Sequence, residues 1–186
     1  MSRAVAIVEL RSIASGISVV DKMLKAADVE PLYCKPICPG KFFVIVCGDV
    51  GSVNAALEAA LKENNKYIIS TKILPNIHED IINAIKNKYL RSASLAIGIV
   101  ETISVAEGIV ALDTSLKNGE VTLVKLSLGF TTGGKCYYIV SGQLSGVKEA
   151  IECALKVIKK DKLLCYEIIP SPDTELLKVL NIISGI

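Results

Sequence analysis

The chain has 186 residues, 51% of them hydrophobic, and a formal net charge of +2 at pH 7. Its longest unbroken apolar stretch is about the six residues Phe42 to Cys47, far short of the roughly 20 that cross a bilayer, so a mean hydropathy of +0.49 points to packing and subunit interfaces, not to a membrane. The charges are interspersed without a polybasic block, which leaves no phosphate-tracking surface and argues against nucleic acid as a partner.

The sequence repeats itself. AVAIVELRSIASG, Ala4 to Gly16, returns as AIGIVETISVAEG, Ala96 to Gly108, at an offset of 92 positions. GKFFVIVCGDVGSV, Gly40 to Val53, returns as GKCYYIVSGQLSGV, Gly134 to Val147, at an offset of 94. The repeat predicts two domains of roughly 90 residues each, 1–90 and 91–186. The offset slips where the first copy reads CKPICPG and the second reads LSLGFTTGG, with no cysteine.

In chain order, Ala4 to Glu9 reads as a strand, and Ile13, Ile17, Val20, Leu24 and Ala27 then recur at helical steps as one buried face. The second copy keeps that face as Val105, Ile109, Leu112 and Leu116, with Ser104 at the helix start. Val29 to Ile37 and Phe42 to Cys47 read as strands joined by a Pro/Gly turn, matched by Val121 to Leu128 and Cys136 to Val140. A second helix carries Val53, Ala56, Leu57, Ala60 and Leu61, matched by Val147, Ala150, Ile151, Ala154 and Leu155, and its small residues imply close packing on a sheet.

Tyr67 to Leu74 is the last strand of the first copy, and Ile81, Ile82 and Ile85 mark a short helix after Pro75. Leu164 to Ile169, Pro170, then Leu176, Leu177 and Leu180 repeat this ending, while Lys86 to Ser94 reads as the linker. The order β-α-β-β-α-β-α in each copy predicts an α+β fold of the α/β-sandwich type. Each copy is expected to form a mixed, mostly antiparallel four-stranded sheet with helices on one face, related to ferredoxin-like folds.

Gly129 to Cys136, GFTTGGKC, fits a phosphate-binding loop at every position but the last, where Cys136 replaces Ser or Thr. Such a loop must open a helix, whose N-terminal amides hold the anion; this one leads into the strand-like CYYIV and reads as a turn between strands. The one histidine, His78, precedes Glu79 and Asp80 at a helix start, where capping explains the carboxylates. Glu9 and Glu101 recur at the end of each first strand, as structural hydrogen-bonding or interface groups would. No nucleophile-and-base arrangement can be built on this set, so an enzyme is not expected.

Of six cysteines, Cys47, Cys136, Cys153 and Cys165 lie in apolar segments and read as small hydrophobes. The N-terminus runs straight into strand-like sequence without a signal-peptide core, so a reducing, cytosolic setting is expected. Cys34 and Cys38 are candidate metal ligands, although their C-x3-C spacing has no second Cys or His pair to complete a site. The alternative is two ordinary thiols beside a turn. Cys38 stands out by falling, next to Pro39 and Gly40, in the segment where the copies differ most.

With these residues assembled, the chain resembles the tandem-domain bacterial microcompartment (BMC) shell proteins, in the unpermuted strand order. The resemblance rests on AIVE with the Ser/Gly helix start, DKMLKAADV at Asp21 to Val29, GDVGSV at Gly48 to Val53 and LPNIH at Leu74 to His78, and one tandem type carries the same ICPGKF, Ile37 to Phe42, in its first domain. It implies a homotrimer imitating a hexamer, which tiles with other shell proteins into a shell in the cytoplasm. It also implies a pore lined by Ile37, Cys38, Pro39 and Gly40 from the first copy and Thr131, Thr132 and Gly133 from the second. By the same resemblance, Cys38 from each of three subunits supplies the thiolates for one [4Fe-4S] cluster. The cluster would serve electron transfer, with lumenal redox enzymes as partners, or cluster transport. Lys25 and Lys117 correspond to edge lysines, and Asn76 and His78 to an edge motif in which Asn76 replaces an arginine; the second copy has Ser171 and Asp173 there. A different class of function also fits the predicted fold, a soluble tandem regulatory module holding a small molecule at subunit clefts.

Overall fold

The computed structural model describes residues 3–63, 65–88, 93 and 95–182. Of the predicted linker, residues 89–92 and 94 lie outside the described residues. The first copy forms β1 (Ala4–Leu10), α1 (Ile13–Ala26), β2 (Glu30–Ile37), β3 (Lys41–Gly48), α2 (Val50–Glu63), β4 (Ile68–Leu74) and α3 (Glu79–Ile85). The second forms β5 (Ala96–Thr102), α4 (Val105–Asn118), β6 (Val121–Leu128), β7 (Cys136–Gly142), α5 (Leu144–Val157), β8 (Leu163–Ile169) and α6 (Thr174–Val179). Every expected element is present, and the order in each copy is the unpermuted one.

The sheets run β2-β3-β1-β4 and β6-β7-β5-β8. Every pairing is antiparallel, so the parallel neighbours of a mixed sheet are absent: the two strands that flank each of α1, α2, α4 and α5 run in the same direction but are never adjacent in the sheet. Each sheet also repeats its irregularities. β1 and β5 shift register against their edge strands at Glu9/Leu10 and Glu101/Thr102, and β2 and β6 carry matched bulges at Leu32 and Val124.

In the first unit, alternate residues of the central strands (Ala6, Val8 and Leu10 on β1; Phe42, Val44 and Val46 on β3) meet Val19 and Met23 of α1 and Val53, Ala56, Leu57 and Ala60 of α2. Gly16 is the point of closest approach. A Cβ built there would lie on the ring of Phe42 and 2.6 Å from that residue's Cβ, and one at Gly108 would lie 2.6 Å from the Cβ of Cys136. The repeated glycines therefore let each first helix sit directly on the third strand of its sheet.

This contact corrects the helical face read from periodicity. Ser15, Gly16, Val19 and Met23 are the residues α1 buries, whereas Ile13, Ile17 and Leu24 form a second apolar stripe that is exposed. On α4 both stripes are covered: Val105, Ile109, Leu112 and Leu116 are buried, and so are Gly108, Ala111 and Ser115. The helix starts differ too. Ser12 accepts a bond from the Ser15 N–H at 3.3 Å, while Ser104 occupies the same cap position with no capping bond from its side chain, its carbonyl instead taking the Thr102 hydroxyl at 2.8 Å.

Packing divides the chain into a unit of residues 1–77 and a unit of residues 78–186. The repeat divides it at residue 90 because it follows ancestry of sequence; α3 belongs to the first copy by sequence and packs on α4 and β6 of the second unit. On the sheet face away from α4 and α5, Ile97, Val124 and Ile139 are covered by Leu177 of α6 and by Ile182, with Leu180 and Ile169 alongside.

Candidate functional site

The β2–β3 connection is a tight hairpin. Ile37 pairs with Lys41 across its base, which leaves Cys38, Pro39 and Gly40 as the turn. Ile37 is buried and anchors it; Cys38 is half-buried and Pro39 and Gly40 are exposed. The Cys38–Pro39 peptide is cis and Gly40 has φ of 79°, a left-handed conformation that glycine adopts without strain. The thiol is carried on a short turn closed by the Ile37–Lys41 pair.

The counterpart turn is longer and contains no sulfur. It spans Gly129 to Lys135 between β6 and β7, and its chain runs on into a strand, as the reading of GFTTGGKC required. Thr131 adopts a positive φ of 62°, and its hydroxyl donates to the Phe130 carbonyl at 2.6 Å; the Thr132 hydroxyl closes the turn on the Lys135 carbonyl at 2.7 Å. Gly133 is exposed, as is Phe130.

An ion pair anchors each turn, with a buried carboxylate in the first copy and a more exposed one in the second. Lys41 Nζ lies 2.7 Å from Glu9 Oε1, and Lys135 Nζ lies 2.7 Å from Glu101 Oε1. The repeated acids therefore have the structural role expected of them. Their lysine partners follow the glycine of the GK dipeptides at Gly40 and Gly134, a repeated signal in the sequence that identifies both halves of the pair. The Glu9 side chain is 1% exposed, so this ion pair ties the base of the Cys38 turn to the end of β1.

Cys34 does not join Cys38. Its side chain packs against the helix-face core, with Val44 opposite it on β3, and burial pushes its thiol pKa up. Among the described residues no three His, Cys, Asp or Glu side chains converge within the chain. Cys38 is accordingly a lone thiol on an accessible turn, where any metal it bound would need its further ligands from other molecules.

The edge candidates are held locally. Lys25 pairs with Asp21 at 2.7 Å, one helical turn away, and Lys117 with Asp113 at 2.6 Å. His78 is the N-cap of α3, its Nδ1 accepting from the Asp80 N–H at 3.3 Å, and Asp173 caps α6 in the same way from the Glu175 N–H at 2.7 Å. Asn76 is exposed, two residues before the cap. The two aspartates recur at the same offset as the lysines, and they complete a constellation of which only the lysines were singled out from the sequence. A depression of about 460 Å3 beside the start of β6 is lined by Gly119, Glu120, Thr122 and Ser141; Glu120 is the one charged residue in that lining.

The family model described as the BMC domain matches residues 4–77 and again residues 96–172. The chain belongs to the BMC-domain family. The bacterial microcompartment shell protein PduT of Citrobacter freundii is 42% identical over 92% of this chain and 94% of its own length. The carboxysome shell protein CcmK2 of Synechocystis sp. is 36% identical over 48% of this chain and 90% of its own, as expected where one BMC copy corresponds to a whole relative. A crystal structure of a microcompartment protein from Desulfitobacterium hafniense superposes with a TM-score of 0.89 at 36% identity, covering 96% of this chain and 99% of that one. The chain is thus a tandem-domain BMC shell protein similar to PduT, and each BMC copy contributes one four-stranded antiparallel sheet and one β-turn of the pair described above.

Proposed function

We propose that this chain is a structural protein of a microcompartment shell in the bacterial cytoplasm. Three copies close into a flat pseudohexameric ring, and three Cys38 thiolates hold one [4Fe-4S] cluster at the ring's centre. The observation that carries this reading is the inequality of the two turns. Two BMC copies make a chain equivalent to two subunits of a hexamer, yet only one copy bears an accessible thiol at its turn. One such cysteine is too few for a cluster that ordinarily takes four thiolates, and a three-fold axis multiplies it to three.

In this reading the fourth iron takes a ligand from outside the protein, which leaves the cluster open to exchange and reaction. Such a cluster suits electron transfer across the shell to lumenal redox enzymes, or delivery of the cluster itself. Ile37, Pro39 and Gly40, with Thr131, Thr132 and Gly133, line the pore around it. Lys25, Lys117, Asn76 and His78 serve contacts between rings and with other shell proteins; Lys25 is the more exposed of the two lysines.

Anaerobic purification followed by iron and sulfide analysis and electron paramagnetic resonance tests the site. The wild type is expected to carry about four iron atoms per three chains, and Cys38→Ser to carry none while keeping its assembly. Iron retained by Cys38→Ser would sink the assignment. Electron microscopy tests the rest: flat pseudohexagonal particles or sheets are expected, and discrete dimers would contradict the shell reading.

A further inference from the structure

The two copies match in sequence and differ in what covers them. Ile109 on α4 is fully buried, and its counterpart 92 positions earlier, Ile17 on α1, is 59% exposed; Val105 and Leu116 stand to Ile13 and Leu24 in the same relation. At the terminal helices the inequality reverses. Ile81 and Ala84 on α3 are buried, whereas their counterparts 95 positions later on α6, Leu176 and Val179, are exposed, Val179 at 79%.

α3 packs on α4 and β6, and one polar contact fixes its start: the His78 N–H donates to Oδ1 of Asp113 at 2.8 Å while Asp113 Oδ2 holds Lys117. The counterpart of Asp113 is Asp21, which holds Lys25 in the same way and is exposed. The counterpart of His78 is Asp173, also an N-cap. Each chain therefore contains one complete copy of this contact and the two separated halves of another.

We infer that α6 of one chain docks on α1 and β2 of a second copy of the chain. Leu176 and Val179 cover the stripe of Ile13, Ile17 and Leu24, and the Asp173 N–H donates to the Asp21 carboxylate. The surface rests on the ring reading above, and it specifies how that ring closes. Because the two halves lie on different units, the contact is head-to-tail, the type that closes into a ring under rotation. The same apolar stripe explains why α1 bears two hydrophobic faces where a helix resting on one sheet needs one.

Native mass spectrometry and light scattering of Val179→Asp and Ile17→Glu, each with its fold checked by circular dichroism, test the docking. Wild type is expected as a trimer and each variant as a monomer. Mixing the two variants should restore a two-chain species, since Ile17→Glu retains an intact α6 and Val179→Asp an intact α1. Asp21→Ala should weaken assembly about tenfold or more, the loss of a hydrogen bond to a charged group. If wild type is trimeric and both variants remain so, the docking fails and the ring stands. Variants that stay monomeric on mixing overturn the head-to-tail contact, and a monomeric wild type overturns the ring and the docking together.

Discussion

Burial separates the cysteines by reactivity. Cys47 and Cys136 are buried, Cys34, Cys38 and Cys153 half-buried, and Cys165 exposed. With a disulfide-exchange reagent at pH 8, Cys165 should label first in cluster-free protein, and Cys38→Ser should lower the count of native-state labelled thiols by one. Cys136 should label only after denaturation, because burial pushes its pKa up to about 12. A loaded cluster should protect Cys38 and leave Cys165 unchanged, so the number of labelled thiols reads occupancy directly. The anchor of the turn belongs at this scale as well. Lys41→Met leaves the buried Glu9 carboxylate short of its cation and should destabilise the fold by about 1–3 kcal/mol in urea denaturation; the same substitution at Lys135, whose partner Glu101 is more exposed, should cost less.

The first helix of each copy depends on a glycine that no side chain can replace without moving a neighbour. Gly16→Ala forces α1 away from Phe42 and should cost about 1–3 kcal/mol of stability, measured as a lowered urea midpoint with unchanged slope. Alkaline titration probes the second copy. A thiol held protonated by burial binds its proton more tightly folded than unfolded, so its contribution is fully present below the ordinary thiol value of 9.0 and is lost as pH rises toward about 12. Stability should therefore fall by about 1 kcal/mol per pH unit above roughly pH 9, and Cys136→Ala should flatten that decline. The elements also show what the sequence made legible. Periodicity located the strands and α-helices among the described residues, and the Pro/Gly segment and GFTTGGKC located both turns, whereas the closeness of each first helix to its sheet at Gly16 and Gly108 emerged only from the structure. Nor did periodicity distinguish the two stripes of α1, since Ile13, Ile17 and Leu24 are more hydrophobic than the Gly16, Val19 and Met23 face that the sheet buries. Hydrophobicity marks what will be covered in the assembly, without saying by which partner.

At the scale of the molecule, duplication is what connects these features. A repeat can locate two domains, yet it carries no sign that α3 packs with the second copy, because that contact joins residues distant in sequence. Nor does it distinguish a closed contact from an open one; His78 with Asp113 and Asp173 with Asp21 look alike until burial separates them. The same duplication lets one turn carry Cys38 while the other carries Thr131 and Thr132, which a ring of six identical domains does not permit.

Native mass spectrometry of the anaerobically purified protein, with and without Cys38→Ser, tests the central claim most directly. The wild type should appear as three chains plus the mass of one [4Fe-4S] cluster, and Cys38→Ser as three chains alone. A cluster retained without Cys38, or a cluster bound to any number of chains other than three, would contradict the account.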